Sequence, residues 1–502
     1  MSNFLDGFYN ILSISNFLMM FIGVFMGIII GALPGLSATM GMVLALPLTY
    51  NMEPTAAMLL LLGLYCGGVY GGSITAILIN TPGTPAAAAT VLDGFEMGKR
   101  GEGGRGIGIS TTSSFIGGVV SCVFLCFAAP QIANVALKFA APDYFALTFF
   151  GLTIIASISG KSVIKGLISG TLGLLIATVG IDSMAGVSRF TFGNRHLLGG
   201  FSSVPVLIGL FAMPQVYLAL EKGKAKERII QKVGRVLPCK EDFKKIFPLS
   251  IVFGAVGTFI GAIPGTGATI ASFLAYNEAR RFSKYPEKFG SGIVEGIAAP
   301  ESANNGVTGG ALIPLLSLGI PGDVSTAVLI GAFMIQGLTP GPTLFTDSPD
   351  LVYSIFIGLF IINIFMFILG IAGIRGFTKI VSVPQYILTP MIFVFCIVGS
   401  YAINNQFFDV VVMLVFGLVG FSFNRLKIPA APMVVGLILG NSVESNFRRS
   451  LIMSKGSLGI FFSRPISLIF IVASLISIFW PLISKLIGRK KDSTNLPASD
   501  DA

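Results

Sequence analysis

Charge is scarce in this chain. Asp, Glu, Lys and Arg make up 11% of its 502 residues, against roughly 25% in soluble domains. With 53% of residues apolar, a soluble globular fold is excluded and a polytopic, all-helical membrane protein is expected. Histidine is nearly absent: His196, beside Arg195, is alone, and with no partner for a metal site or a triad it is read as a structural or surface residue. Cys66, Cys122, Cys126, Cys239 and Cys396 are scattered. The i, i+4 pair Cys122 and Cys126 has no His or acid neighbour, so these are read as packing residues, with no disulfide and no transition metal. No G-x-x-x-x-G-K-[ST], H-E-x-x-H or G-x-S-x-G pattern occurs, which argues against nucleotide use and hydrolytic chemistry. No Lys or Arg precedes Lys99. The start therefore lacks the basic n-region of a cleavable signal, and a retained amino terminus is expected.

The charge that is present lies between apolar runs. A formal net charge of +10 invites a nucleic-acid reading, but the basic residues sit where the positive-inside rule places them. Residues 221–245 carry nine Lys and Arg against four acids, the pattern of a cytoplasmic linker. Lys99, Arg100 and Arg105, and Lys485 to Lys491, look cytoplasmic too. The expected organisation is a first half over 1–220, the linker, a second half over 246–488 and a polar tail over 489–502. Several apolar runs are shorter than the ~20 residues of a full span, so about nine to twelve spans plus broken or re-entrant segments are expected.

Two glycine- and proline-punctuated stretches carry most of the information. Gly31-Ala-Leu-Pro-Gly-Leu-Ser-Ala-Thr39 and Gly261-Ala-Ile-Pro-Gly-Thr-Gly-Ala-Thr269 lie 230 residues apart and agree at six of nine positions, an internal duplication. Each has a follower, Tyr70-Gly-Gly through Thr81-Pro-Gly83 and Thr308-Gly-Gly through Ile320-Pro-Gly322. Matched interruptions in two halves of a membrane chain point to a transporter's binding site, because unwound backbone at depth is tolerated only when buried or lining a wet cavity. Whether the repeats run parallel or inverted is left open by the sequence.

Broken helices offer free N–H groups and a positive dipole end to anions, and unwound carbonyls to cations. Isolated glycine pairs such as Gly67-Gly68 are read as helix packing. The Pro-Gly breaks, where breaker, hydroxyl and repetition coincide, are read as binding segments. The candidate substrate ligands are Gly35, Ser37, Thr39, Asn80, Thr81, Gly83, Thr84, Gly265, Thr266, Thr269, Gly322 and Ser325. Asp323, directly after a Pro-Gly break, and Glu301, Asn304 and Asn305 in a polar island are candidates for the coupling ion, since a carboxylate at depth is functional by default. Asp323 and Ser325 are also candidate helix caps, and Glu301 could equally pair with Arg280 or Arg281. Asp93 reads as a turn residue at the membrane edge.

These segments resemble the large membrane subunit of the tripartite tricarboxylate transporters, the TctA family. The likeness runs through Gly31 to Ser37, Tyr70 to Pro85, Leu92-Asp-Gly-Phe95, Gly261 to Gly267, Pro300-Glu-Ser-Ala-Asn-Asn305 and Gly319 to Gly322, and covers residues 15–480. The resemblance implies a bacterial inner-membrane secondary importer of carboxylates, citrate or related acids, coupled to Na+ or H+. It also implies two partners, a small membrane subunit with four helices and a periplasmic solute-binding protein. A passive anion channel is the competing reading, and an intramembrane enzyme using Asp323 with Glu301 is a third.

Overall fold

The computed structural model describes residues 2–33, 35–158, 162–222, 236–374, 376–377 and 385–492. Most of the basic linker and most of the polar tail lie outside them. The described chain is helical apart from one short antiparallel pair, in which Gly180 faces Arg189 and Ile181 faces Ser188. Among the described residues, eight helical stretches are long and apolar enough to cross a membrane, and five further apolar helices have 10–17 residues. The protein is an all-α polytopic membrane protein.

Nine helices hold the duplicated motifs. In the first half they are α1 (Ile14–Ala32), α2 (Ala38–Ala45), α3 (Pro54–Ile79), α4 (Ala88–Met97) and α5 (Gly103–Ala136). In the second they are α6 (Lys240–Ala262), α7 (Gly267–Phe282), α8 (Glu295–Leu318) and α9 (Val324–Ile335). Local chemistry sets their ends. Ser13 caps α1 by accepting from the Asn16 amide, Cys239 and Asp242 form a capping box on α6, and Pro54 opens α3 where its missing N–H costs nothing.

Small residues decide how these helices pack. A Cβ added at Gly27 would lie 2.7 Å from the Leu64 carbonyl oxygen, and one at Gly31 would lie 2.9 Å from the Gly68 Cα. The contact advances in the same direction along both helices, so α1 and α3 are parallel. The chain between them must double back, and α1 with α2 forms a helical hairpin whose tip is the first Gly-Pro motif. The second half repeats this construction. A Cβ at Gly257 would sit 2.7 Å from the Ala303 Cα, and one at Gly261 2.9 Å from the Val307 Cα. Thus α6 runs parallel to α8, and α6 with α7 forms the second hairpin.

Each follower folds back along its own helix. After α3, the Gly83 amide donates to the Gly72 carbonyl at 3.1 Å, and Gly83 lies against the Gly31 carbonyl and 2.8 Å from the Gly72 Cα as measured from an added Cβ. After α8, Gly322 lies 2.7 Å from the Gly261 carbonyl and 2.5 Å from the Ala311 Cα by the same measure. The structural register therefore sets Gly72 opposite Ala311. This is one residue away from the match of Gly71-Gly72 with Gly309-Gly310 that the sequence suggests.

The direction of the repeats follows from α5. It is antiparallel to α3, with Ser110 Oγ donating to Ser73 Oγ at 2.7 Å and Thr111 Oγ1 bonded to Tyr70 Oη at 2.7 Å. It is parallel to α8: Gly117 packs on Ser302 and Gly309 on Ser121. Hence α3 and α8 are antiparallel, and the repeats are inverted.

The chain divides into two compact units, residues 1–138 with 190–426, and residues 139–189 with 427–502. The first contains both hairpins, the helix Pro349–Ala372 and a bundle of Met213–Lys222, Gln385–Asn404 and Phe407–Leu426. In the second, Val163–Ala177 and Ala431–Met453 approach closely where Gly436 meets the Gly170 carbonyl. Arg464 Nη2 binds the buried Asp143 at 2.6 Å there, and Arg189 grips both oxygens of Glu444.

Neither Gly83 nor Gly322 has a positive φ. What demands glycine there is close approach, not left-handed backbone. Gly83→Ala and Gly322→Ala are expected to destabilise by about 1–3 kcal/mol through overpacking, whereas Gly199→Ala, with nothing within 4 Å of the added Cβ, should leave the thermal midpoint unchanged. Equal midpoints for all three would refute the packing argument.

Candidate functional site

The breaks meet in pairs and then cross between repeats. Within the second repeat the Gly265 amide donates to the Gly322 carbonyl at 2.7 Å. Across repeats, Thr39 Oγ1 on α2 bonds Ser325 Oγ on α9 at 2.8 Å. In return, Ser272 Oγ on α7 donates to the Ala86 carbonyl at 2.8 Å, just after the first follower. Each hairpin's returning arm thus rests on the follower of the other repeat, and residues up to 286 positions apart are joined.

Around this crossing the candidate residues have distinct settings. Ser37 caps α2, accepting from the Met40 amide at 3.1 Å, and the exposed Gly35 takes φ +95° to turn the tip. Asn80 ends α3 in the left-handed region, which Asn tolerates. The Thr81 hydroxyl is tied to the Ile79 carbonyl, and that of Thr266 to the carbonyls of Ile260 and Ile263. Thr84 is buried beside Gly72. Thr269 is exposed on α7, and no hydrogen bond among the described residues brings it to another candidate.

Asp323 caps α9, and Ser325 does not. Asp323 Oδ1 accepts from the Thr326 amide at 2.8 Å while Thr326 Oγ1 accepts from the Asp323 amide, a capping box. Its other oxygen, Oδ2, accepts from Tyr65 Oη of α3 at 2.6 Å, another tie across the repeats. Glu301 is fully buried and pairs with neither Arg280 nor Arg281. Thr90 donates to one carboxyl oxygen and Ser114 to the other, the latter at 3.1 Å. Gly322 packs at the level of Ala311, ten residues along α8 from Glu301. That puts about 15 Å of helix rise between the two carboxyls, too far for an acid dyad.

The sequence reading of Asp93 is overturned. It lies inside α4, wholly buried, and its carboxylate accepts from the amides of Gly290, Gly292 and Ile293 and from Tyr276 Oη at 2.9 Å. It is the anchor of the loop that joins α7 to α8 in the second repeat. Leu92-Asp-Gly looks like a turn, but the glycine is there so that α4 can lie against Ile77. Sequence reasoning also passes over Tyr65, Thr90, Ser114 and Ser272, and nothing in their local sequence separates them from ordinary helix residues. His196 bonds Gln406 at 2.9 Å and stacks on Phe408, a structural role.

An inverted repeat whose paired helix breaks converge on buried polar residues is the architecture of a membrane transporter. The family model of the tripartite tricarboxylate transporter TctA family matches residues 17–435, and the chain belongs to that family. Two relatives come from Agrobacterium vitis. An uncharacterized 52.8 kDa protein in the TAR-I ttuC′ 3′ region is 37% identical over 489 residues, 97% of each chain. An uncharacterized protein in the TAR-II ttuC′ 3′ region is 36% identical over 234 residues, 47% of this chain and 97% of that one. No solved structure matches.

Asp93→Ala strands three backbone donors and a phenol in the interior. Hydrogen bonds to a charged group contribute about 1.5–3 kcal/mol each, so a loss of several kcal/mol is expected, seen as a thermal midpoint lowered far more than by Tyr276→Phe. Comparable midpoints for the two variants would contradict an anchoring role.

Proposed function

We propose that this chain is the large subunit of a binding-protein-dependent secondary transporter of the bacterial inner membrane. It imports carboxylates, citrate or a related acid, on a sodium or proton gradient. A small four-helix membrane subunit and a periplasmic solute-binding protein complete the system. The observation that carries this reading is the reciprocal crossing of the hairpins, Thr39 to Ser325 and Ser272 to Ala86. It gathers the amino-terminal ends of α2 and α9 at one place, where amides and hydroxyls suit an anion.

The basic ends support an orientation. Arg105 binds Asp242 at 2.7 Å, so the Lys99–Arg105 turn and the start of α6 share one end of the core, the cytoplasmic one by the positive-inside rule. The second hairpin then opens to the cytoplasm and the first to the periplasm. The ties between repeats also favour a mechanism. Thr39 to Ser325, Tyr65 to Asp323, Thr90 and Ser114 to Glu301, and Asp93 to the Gly290–Ile293 amides all join one half to the other. Rocking of half against half would break them together, so both hairpins travel as one body, as an elevator requires.

Labelled citrate uptake into proteoliposomes holding this chain and its small partner tests the reading. Uptake is expected only with both the binding protein and an imposed gradient, and uptake needing neither would establish a passive channel. Thr39→Val and Ser325→Ala should each lower uptake about tenfold, the effect of about 1.4 kcal/mol, and full activity in both would remove the crossing from the substrate path.

A further inference from the structure

The inverted repeat lets one half be checked against the other. The register that sets Gly72 opposite Ala311 and Gly83 opposite Gly322 also sets Tyr65 opposite Asn304, Cys66 opposite Asn305 and Thr84 opposite Asp323. In one copy of this contact Tyr65 donates to Asp323 at 2.6 Å. In the other copy the equivalent residues are Asn304 and Thr84, both buried, at 0% and 7% exposure. Asn304 Oδ1, Asn304 Nδ2 and Thr84 Oγ1 have no hydrogen-bond partner among the described residues, and neither has Asn305 Oδ1. Each such group costs about 1–3 kcal/mol when left unpaired, so four together call for a ligand.

Neighbouring contacts put these residues on one flank. The Pro85–Ala87 turn packs on α8, and Ser272 Oγ donates to both the Ala86 and Pro300 carbonyls, at 2.8 and 3.3 Å. Thr90 reaches Glu301. Thr84 lies two residues before Ala86, and Asn304 one helical turn beyond Pro300.

We propose that Asn304, Asn305 and Thr84 form a sodium site that the carboxylate of the substrate completes. The proposal rests on the importer reading above and names its coupling ion. Two amide oxygens and a hydroxyl are neutral oxygen donors of the kind that replace an alkali ion's hydration shell. None of the three titrates, so the site cannot be a proton carrier. Asn304 Nδ2 is left to donate to a carboxylate oxygen. Sodium alone would place an uncompensated charge at depth, and so would the carboxylate alone. Bound together, the ion offsets the charge of the carboxylate it touches, and by linkage each raises the other's affinity equally. The nearby carboxyls are already committed, Asp323 to Tyr65 and its own helix cap, Glu301 to Thr90 and Ser114. Of the other titratable groups on neighbouring helices, Tyr70 of α3 bonds Thr111, and Cys66 of α3 and Cys122 of α5 are buried thiols.

The test is binding of labelled sodium to the purified full-length chain with its small partner, with and without citrate, alongside uptake under sodium or proton gradients. Wild type should bind sodium in preference to potassium, more tightly with citrate. Asn304→Leu and Thr84→Val should weaken sodium binding at least tenfold, Asn304→Asp should retain it, and Ser113→Ala, which removes another unpaired buried hydroxyl, should not change it. Unaltered sodium binding in folded Asn304→Leu and Thr84→Val would overturn the site. So would a wild type that imports citrate on protons and binds no sodium, which leaves the importer reading standing. Sodium binding with the expected variant pattern but no citrate uptake on either gradient would support the site and count against citrate.

Discussion

Everything in the core depends on backbone meeting backbone. Gly31 and Gly83 touch at the first break, Gly261 and Gly322 at the second, and in each case a carbonyl oxygen fills the space where a Cβ would stand. Hydrophobic side chains cannot supply such contacts in a membrane, where lipid is as apolar as leucine and association relies on close packing and hydrogen bonds. The interruption of α1 and α6 frees backbone groups at depth. In the second repeat the follower covers one of them directly, the Gly265 amide donating to the Gly322 carbonyl, and in the first the follower is itself pinned to α3 by the Gly83 amide donating to the Gly72 carbonyl. The same contact sets the height of each hairpin tip and therefore where polar groups gather.

Much of this is legible in the chain itself. The scarcity of charge points to the class, and the repeated Gly-x-x-Pro-Gly stretches reveal the duplication and the breaks, because proline and glycine constrain backbone locally. What stays hidden is relational. Repeat direction depends on which faces of α3, α5 and α8 touch, and Gly117 against Ser302 is not a local signal. Asp93 misleads for the same reason: its partners, Gly290 to Ile293, lie about 200 positions away. Asp323 and Glu301 are visible as acids at depth, but only the fold separates a capping carboxylate from one that hydroxyls surround.

The two repeats are alike in backbone and unlike in side chains. Tyr65 with Asp323 satisfies itself, while Asn304 with Thr84 does not. An inverted repeat supplies two equivalent positions, and divergence at one leaves a single polar site in a scaffold that is otherwise symmetric. Such a position lies off the axis relating the halves, because its symmetry mate is the separate contact of Tyr65 with Asp323.

The anchoring of Asp93 has a consequence for how the chain is made. Its carboxylate is placed by α4, but the Gly290 amide it needs is 197 residues further on. At about 5–20 residues per second of synthesis, the buried acid waits roughly 10–40 seconds for its donors. Thr39 waits still longer for Ser325. The first half therefore enters the bilayer with Asp93 and Thr39 still lacking the second-half partners that the folded chain gives them.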